Sequence, residues 1–356
     1  MSHQIKYIAT TKAVNIPSDY QVFMVDGTVS GWQPKQHDYH WDHHRQGGAD
    51  IQVDEMPLPE DNTPIIDAYS QKEKYLNGEA NEETAFQAIV TTQIDADACC
   101  SAAWLQLAGN VLKSSTGLDC SKSVIDCLRA IAYDCDHLTV SDSLSHLADF
   151  AAQAVATLKQ DGYQLIQELN FPNDRRQWTE DQHLTYSSAA FERGTRWLID
   201  AALGRRLWPG ELGEASEYWK QVEDDKTMLF KTGRITVIDS VALCDARGLG
   251  RLIDPRAFVR SIQEFILPHT TLRPEKLTVK DHGLDGYRYT LDCIPNHPKK
   301  EFIDYTDGTL KRLSEAERKK AVAENIDCEW GGRRTVAGSA WNAPSHLEPS
   351  EVIALL

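Results

Sequence analysis

Residues 85–112 read AFQAIVTTQIDADACCSAAWLQLAGNVL and predict a buried strand followed directly by a helix. The run from Ala88 to Ile94 is apolar and rich in β-branched residues, as is typical of a strand covered on both faces. Small residues and the large apolar side chains from Trp104 to Val111 then follow with helical spacing. A strand that leads through Asp-x-Asp into a helix is typical of a parallel sheet, so this stretch predicts an α/β fold.

The rest of the N-terminal region is dominated by helical patterns. Apolar residues recur with helical spacing over 121–133, 141–162 and 183–207. Gly162 is predicted to be the C-terminal cap of the second of these helices, because glycine is the residue most often found just beyond a helix end. This region therefore predicts several helices packed against the sheet.

Beyond about residue 210 the pattern changes. Strands are predicted over 233–243 and 333–341, a hairpin about GLDG over 277–294, and helices near 255–265 and 314–325. The later helix is predicted to begin at Ser314, since Glu317 follows at capping-box spacing. We therefore predict an α/β protein, with a parallel-sheet N-terminal domain over 1–220 that carries several helices and a smaller α+β C-terminal domain over 221–356.

The composition argues against several classes of function. The chain has 356 residues, of which 41% are hydrophobic, and its formal net charge is −16. Because affinity for a phosphate backbone depends on clustered Lys and Arg, this charge disfavours a long nucleic acid and favours a small ligand. No apolar run is long enough to span a membrane and no signal sequence is visible, so we expect no membrane partner and a cytoplasmic location.

Other features of the sequence narrow the chemistry. The eight cysteines form no C-x-x-C pair, and we interpret them as buried, reduced thiols. The P-loop, nucleophile-elbow and zincin motifs do not occur in the sequence.

Asp95 and Asp97 are the best-placed candidate metal ligands. An Asp at the carboxyl end of a parallel strand faces the crevice in which open α/β sheets bind ligands, and a second Asp two residues on can face the same ion. Asp is also a favoured N-cap, so one of the two can cap the following helix. The two roles are compatible, because one carboxylate can cap while the other binds.

A histidine-rich stretch, YHWDHHRQGGAD at 39–50, is the second candidate. Alternate residues of an extended segment share a face, so His40, Asp42 and His44 can converge while His43 points elsewhere. Imidazole and carboxylate ligands together suit Mn²⁺, Fe²⁺ or Zn²⁺. The alternative interpretation is an exposed polar loop, although Arg45 follows the cluster directly.

Two more segments contain candidate residues. Asp134, Asp136 and His137 stand just after a predicted helix and repeat the Asp-x-Asp spacing, and they are either ligands or ordinary polar residues between helices. The stretch WGGRRTVAGS at 330–339 combines glycines with arginines, a composition suited to anion binding. Its candidate residues are Gly331, Gly332, Arg333 and Arg334, and the alternative is a tight turn with exposed arginines.

Two of these motifs resemble the DHH phosphoesterases. WDHHR at 41–45 is similar to the Asp-His-His signature of that family, and DADACCSAAW at 95–104 to its strand-end Asp-x-Asp, although Asp-His-His here precedes Asp-x-Asp. The resemblance implies two manganese ions and hydrolysis of phosphodiesters, pyrophosphates or polyphosphates. It also implies a smaller C-terminal domain with a glycine-rich substrate loop. The implied metal ligands are Asp42, His43, Asp95, Asp97 and one of Asp134 or Asp136, and Arg333 and Arg334 would grip phosphate.

A second resemblance follows the order of motifs in the chain. VDGTVSG at 25–31, His40-Trp41 and DADACCSAAW are similar to motifs of a group of uncharacterised bacterial proteins. This resemblance adds Asp26 to the candidate ligands and favours His40 over His44. It implies no activity.

Together these observations predict a metal-dependent hydrolase. We expect a phosphoesterase that binds a small anionic substrate between its two domains and uses a water molecule activated by one or two divalent ions, Mn²⁺ first, as nucleophile. His43 or His44 would orient groups or move protons, and Arg45 and His137 would contact substrate with the arginine–glycine loop. A homodimer is expected. The alternatives are a metal-dependent amide or ester hydrolase, and a metal- or ligand-binding regulatory protein without turnover.

Overall fold

The computed structural model divides the chain into two compact units, 1–216 and 217–356. The residues it describes are 5–41, 53, 56–67, 77, 86–117, 121–173, 175–245, 249, 253–262, 270–279, 284–293, 304–320, 328–332, 336–340 and 344–356. The predicted α/β class is confirmed, with a parallel sheet in the first unit and a mixed sheet with helices in the second. In the described part of the chain, no helix has the length and apolar character needed to cross a bilayer.

The first unit is built on a four-stranded parallel sheet. Its strands and helices are Lys6–Ala9 (β1), Gln21–Val25 (β2), Tyr39–Trp41 (β3), Gln87–Thr91 (β4), Ala96–Gln106 (α1), Gly109–Leu112 (α2), Ser115–Thr116 (β5), Lys122–Ser123 (β6), Val124–His137 (α3), Ala148–Glu168 (α4) and Glu180–Ala202 (α5). The strand order is β1-β4-β2-β3, with all three pairings parallel. The carboxyl ends of all four strands therefore lie along one edge of the sheet.

Side chains alternate between two cores across this sheet. Phe23, Val25 and Ile89 face the larger core, to which α1, α3 and α5 contribute. Met24 and Val90 face a smaller core on the opposite side. Because successive residues of a strand point to opposite faces, alternate residues of β2 and β4 belong to alternate cores.

Close helix contacts explain two differences from the sequence prediction. The helix that was expected to continue to Val111 ends at Gln106, because Gly109 packs against residues 59–60 and its N–H donates to the Glu60 carbonyl at 2.8 Å. Gly162 is not a cap. It lies inside α4, where its carbonyl accepts a hydrogen bond from the Tyr186 hydroxyl of α5 at 3.1 Å.

The second unit contains a six-stranded mixed sheet. Its elements are Ser216–Lys231 (α6), Ile235–Ile238 (β7), Val241–Cys244 (β8), Pro255–Ile262 (α7), Thr270–Val279 (β9), Leu284–Cys293 (β10), Thr309–Lys320 (α8), Trp330–Gly332 (β11), Val336–Ser339 (β12) and Pro349–Leu355 (α9). The strand order is β11-β12-β10-β9-β8-β7, in which only β8 and β9 pair in parallel.

Two sequence predictions for this unit are wrong in detail. The stretch 233–243, expected to be one strand, turns at Asp239 and Ser240, both with positive φ, and contributes to the β7–β8 hairpin. Ser314 does not begin a helix, since α8 starts at Thr309. Its hydroxyl instead accepts from the Trp330 N–H at 2.9 Å, and the buried Glu317 carboxylate accepts from the Ser345 hydroxyl. The capping-box spacing therefore belongs to a tertiary contact between α8 and neighbouring segments.

Candidate metal centre

Asp26 stands at the carboxyl end of β2, between the ends of β3 and β4. Its N–H donates to the Trp41 carbonyl at 3.0 Å, and its carbonyl accepts from the Thr91 hydroxyl at 3.2 Å. The backbone turns sharply here, since φ is +47° at Asp26 and +144° at Gly27, and a Cβ on Gly27 would clash with Thr92. The buried Asp26 side chain is thus carried by a turn that is tied to both neighbouring strands.

Asp95 and Asp97 begin α1. Asp95 is the N-cap, and its Oδ1 accepts from the Ala98 N–H at 2.9 Å. Asp97 lies in the first turn and is buried. Capping by Asp95 satisfies one of the free N–H groups at the positive end of the helix dipole.

The third group of candidates lies on a helix and not in a loop. The helix α3 continues through Asp134, Cys135, Asp136 and His137, and it ends where Leu138 adopts φ +54° and donates its N–H to the Asp134 carbonyl. The prediction that these residues follow the helix is therefore wrong by one turn. Residues two apart in a helix point to nearly opposite sides of it, so the Asp-x-Asp spacing does not place the Asp134 and Asp136 carboxylates at one point.

Asp95, Cys135 and Asp136 form a compact group of possible ligand atoms. One carboxylate oxygen of each aspartate and the Cys135 sulfur lie within 4.8 Å of one another. Metal–ligand bonds of about 2.0–2.4 Å separate two ligands of one ion by up to about that distance. Asp26 adjoins this group through a side-chain hydrogen bond with Asp95. These four residues, from the end of β2, the start of α1 and the last turn of α3, are named here the acidic cluster.

Burial and neighbouring negative charges favour the neutral forms of Asp95 and Cys135 in the acidic cluster. Burial first, and then the negative charges of Asp26 and Asp136, hold the pKa of Asp95 well above its usual range. Burial and the charge of Asp95 likewise raise the pKa of the Cys135 thiol. A cation among these side chains would favour their charged forms and reverse both effects.

His40 occupies a different position near the same edge. It pairs in register with Met24, whose side chain faces the smaller core, and its ring meets Trp32 edge-on at 5.5 Å. Its Nε2 lies 3.1 Å from the Gly27 carbonyl and 3.1 Å from the Thr28 hydroxyl. His40 therefore contacts the Asp26–Gly27 turn, and it is not one of the three residues grouped with Asp95.

The remaining predicted site residues fall into two groups. Those that lie outside the described residues are Asp42, His43, His44, Arg45, Arg333 and Arg334. Gly331 and Gly332 belong to β11 of the second unit, where Gly331 pairs with Gly338 and a Cβ on Gly331 would meet open space. In the first unit, Asp134 is buried, and the His137 ring contacts the Tyr133 ring in a tilted arrangement with the centroids 4.2 Å apart.

Cys135 is the member of the acidic cluster that sequence reasoning missed. All eight cysteines were interpreted as inert thiols, yet Cys135 stands between two candidate ligands in the string Asp134-Cys135-Asp136-His137. A thiol flanked by metal-ligating residue types is a recognisable signal, because Cys is itself a common ligand of transition metals.

Comparisons with known proteins assign no family. No family model matches the chain and no curated protein matches it. Among solved structures, it is similar to an uncharacterised protein from Helicobacter pylori G27 with a TM-score of 0.21 and 10% sequence identity, covering 94% of this chain and 97% of that one. At that score the similarity carries no argument about fold or function.

Proposed function

We propose that the protein is a metal-dependent hydrolase acting on a small anionic substrate, with phosphoesters as the first class to test. The observation that supports the proposal is the acidic cluster, where Asp26, Asp95 and Asp136 meet at the carboxyl edge of a parallel sheet. This edge is the usual position of ligand sites in open α/β folds. The homodimer and the cytoplasmic location expected from the sequence remain part of the proposal.

The side chains of the acidic cluster fit a divalent transition metal. Three carboxylates suit Mn²⁺, the ion implied by the sequence resemblance, whereas the thiol of Cys135 is a donor that favours Zn²⁺ in competition with Mn²⁺. When bound, such an ion lowers the pKa of a coordinated water and stabilises negative charge that develops on the substrate.

Each residue of the acidic cluster has a distinct task in the proposed site. Asp136 and Cys135 would supply donor atoms from the last turn of α3. Asp95 would supply one oxygen while the other continues to cap α1, which keeps the positive end of the α1 dipole beside the cluster. Asp26 would add a negative charge that helps to neutralise the ion. Proton transfer by His43 or His44 and phosphate binding by Arg333 and Arg334 remain predictions from the sequence.

Metal analysis of the purified protein tests the site. Untagged wild type, Asp95→Asn and Asp136→Asn are measured for bound Mn, Fe and Zn, and the matched control is Asp149→Asn, an exposed aspartate of α4. We expect about one or two ions per chain in wild type and control, and a loss of at least about tenfold in affinity in the two cluster variants. Equal metal content in all four proteins would refute the site.

Hydrolysis assays test the chemistry separately. Metal-loaded wild type is assayed with phosphodiesters, pyrophosphate, dinucleotides, and amide and ester substrates, with Asp136→Asn as the inactive control. Turnover of a phosphate substrate that is lost in the variant supports a phosphoesterase, and turnover only of amides or esters selects the related hydrolase. Stoichiometric metal with no turnover of any class supports the regulatory protein.

A further inference from the structure

A cavity lies in the first unit, away from the acidic cluster. Its volume is about 730 Å³, and the described residues that line it come from two segments, 110–117 and 201–211. Asp95 caps the start of α1, whereas residue 110 follows the end of that helix, and the 11 residues of α1 span about 16 Å. Sites that hold small organic ligands have volumes of about 300–1,000 Å³, so this cavity has the size of a ligand site.

The lining of the cavity includes an aromatic side chain and several apolar ones. Trp208 is buried, its Nε1–H donates to the Thr116 hydroxyl at 2.9 Å, and its ring meets Phe150 edge-on at 5.8 Å. Ala202 and Val111 add apolar surface to the lining. Leu203, also in the lining, is exposed, so an apolar ring or chain can contact apolar side chains here.

One wall of the cavity presents a fixed cation. The Arg206 guanidinium stacks on the Trp197 ring, with Cζ 3.4 Å from the ring centroid, and the Trp197 Nε1–H donates to the Leu207 carbonyl at 3.0 Å. No ion pair to Arg206 occurs among the described residues. Stacking holds one face of the guanidinium but leaves its N–H edge able to bind a carboxylate or phosphate oxygen.

The other charges of the lining are already compensated. The carboxylate of Glu211 accepts from the Trp208 N–H at 3.1 Å and lies 3.4 Å from Lys122 Nζ. Arg205 lies 3.6 Å from Asp200 in an exposed pair. The cavity is therefore locally positive in a chain whose formal net charge is −16. On a protein with a net negative charge, a local positive charge attracts an anion to that position.

We propose that this cavity binds a small organic anion, with its carboxylate or phosphate group on Arg206 and its apolar part against Leu203 and Val111. The site does not depend on the proposed hydrolase, because its lining includes none of the residues of the acidic cluster. It would give the first unit a second ligand site, at the opposite end of α1.

Calorimetric titration with three matched probes tests the proposal. The probes are 1-naphthoate, 1-naphthylmethylphosphonate and the neutral 1-naphthamide. We expect one or both anions to bind wild type at least about tenfold more tightly than the amide, since a charge-assisted hydrogen bond distinguishes them. Arg206→Ala is expected to weaken binding of the anions by about tenfold or more. The matched control is Arg196→Ala, an exposed arginine of the same helix region that pairs with Glu192 and does not line the cavity, and it should retain wild-type affinity.

Two further comparisons make the result decisive. Both arginine variants are checked for an unchanged midpoint of thermal unfolding, so that a loss of binding reports on the cavity. Asp95→Asn should bind the probes as wild type does, even if it has lost metal, which separates this site from the acidic cluster. No binding of either anion at millimolar concentration, or equal affinities of the Arg206 and Arg196 variants, would overturn the proposal.

Discussion

Asp95 has two roles that two substitutions can separate. Its Oδ1 caps α1 by accepting from the Ala98 N–H at 2.9 Å, and its carboxylate lies among those of Asp26 and Asp136. Asparagine keeps the capping oxygen and removes the charge, whereas alanine removes both. Asparagine also resembles the neutral carboxyl group, which burial and the two neighbouring aspartates favour by raising the pKa of Asp95.

The magnitudes follow from these contacts. Replacing an N-cap Asp by Ala costs about 1 kcal/mol, whereas Asn caps about as well as Asp. Without metal, the free energy of unfolding of Asp95→Asn should therefore equal that of wild type to within a few tenths of a kcal/mol, or slightly exceed it. Asp95→Ala should be less stable than Asp95→Asn by about 1 kcal/mol, or about 2–4 °C in a domain of 150–250 residues. With cation at about a hundred times its dissociation constant, wild type should gain about 2.7 kcal/mol, and neither variant should show that gain.

Thermal unfolding followed by circular dichroism measures both effects, first with a chelator and then with added Mn²⁺ or Zn²⁺. Equal stabilities of the Ala and Asn variants in chelator would refute the capping argument. A full metal-dependent gain in Asp95→Asn would refute the role of Asp95 as a ligand. The two outcomes are independent, because the stability in chelator depends on the hydrogen bond to the Ala98 N–H and the metal-dependent gain depends on the bound cation.

Three other features of the structure make quantitative predictions. A methyl group on Gly194 would lie 2.8 Å from the Cys99 sulfur where α5 packs on α1, so Gly194→Ala should destabilise the protein by about 1–3 kcal/mol in urea unfolding. Asp292→Asn leaves Arg273, its buried partner at 2.6 Å, without a counter-charge, and should cost about 3–5 kcal/mol in the same assay. Burial raises the pKa of Tyr7 to about 12. Its contribution to stability should therefore be complete below pH 10, the usual pKa of tyrosine, and be lost as the pH rises through 12, which absorbance at 295 nm and unfolding together can follow.

Matched controls accompany these three predictions. Adding Cys99→Ala to the Gly194 variant should restore part of the lost stability, and no restoration would contradict the steric argument. Glu329→Gln breaks an exposed ion pair with Arg318 and should cost less than about 1 kcal/mol. If Asp292→Asn and Glu329→Gln lowered the free energy of unfolding equally, burial would not explain the effect at Asp292. Burial also raises the pKa of Tyr186 and Tyr305, so Tyr7→Phe should lower the amplitude of the late step of the tyrosine titration by one residue. An unchanged amplitude would contradict the assignment to Tyr7.

The predictions that succeeded from sequence rest on short-range rules. The strand over Gln87–Thr91 and the start of α1 follow from an apolar run and from a capping aspartate, both within a few residues. The predictions that failed concern elements whose ends are set by distant contacts. Gly162 continues a helix because α5 packs beside it, and Ser314 and Glu317 bond to Trp330 and Ser345 and not to a helix start.

For the candidate site, too, the sequence indicated single residues, and the tertiary structure decided which of them meet. Asp95 and Asp136 were recognisable from sequence as polar residues at the ends of predicted elements, whereas Asp26 came from the resemblance carried by VDGTVSG. The position of Asp95 at a strand end and a helix start was determined by its immediate neighbours. Which of the candidates meet was decided only by tertiary structure. The strand order β1-β4-β2-β3 brings the ends of β2 and β4 together, and the packing of α3 against α1 adds Cys135 and Asp136. The parallel register turns His40 to the face of Met24. Side-chain direction depends on the register of a strand and the rotation of a helix, and those are fixed by packing between segments that are distant in the chain.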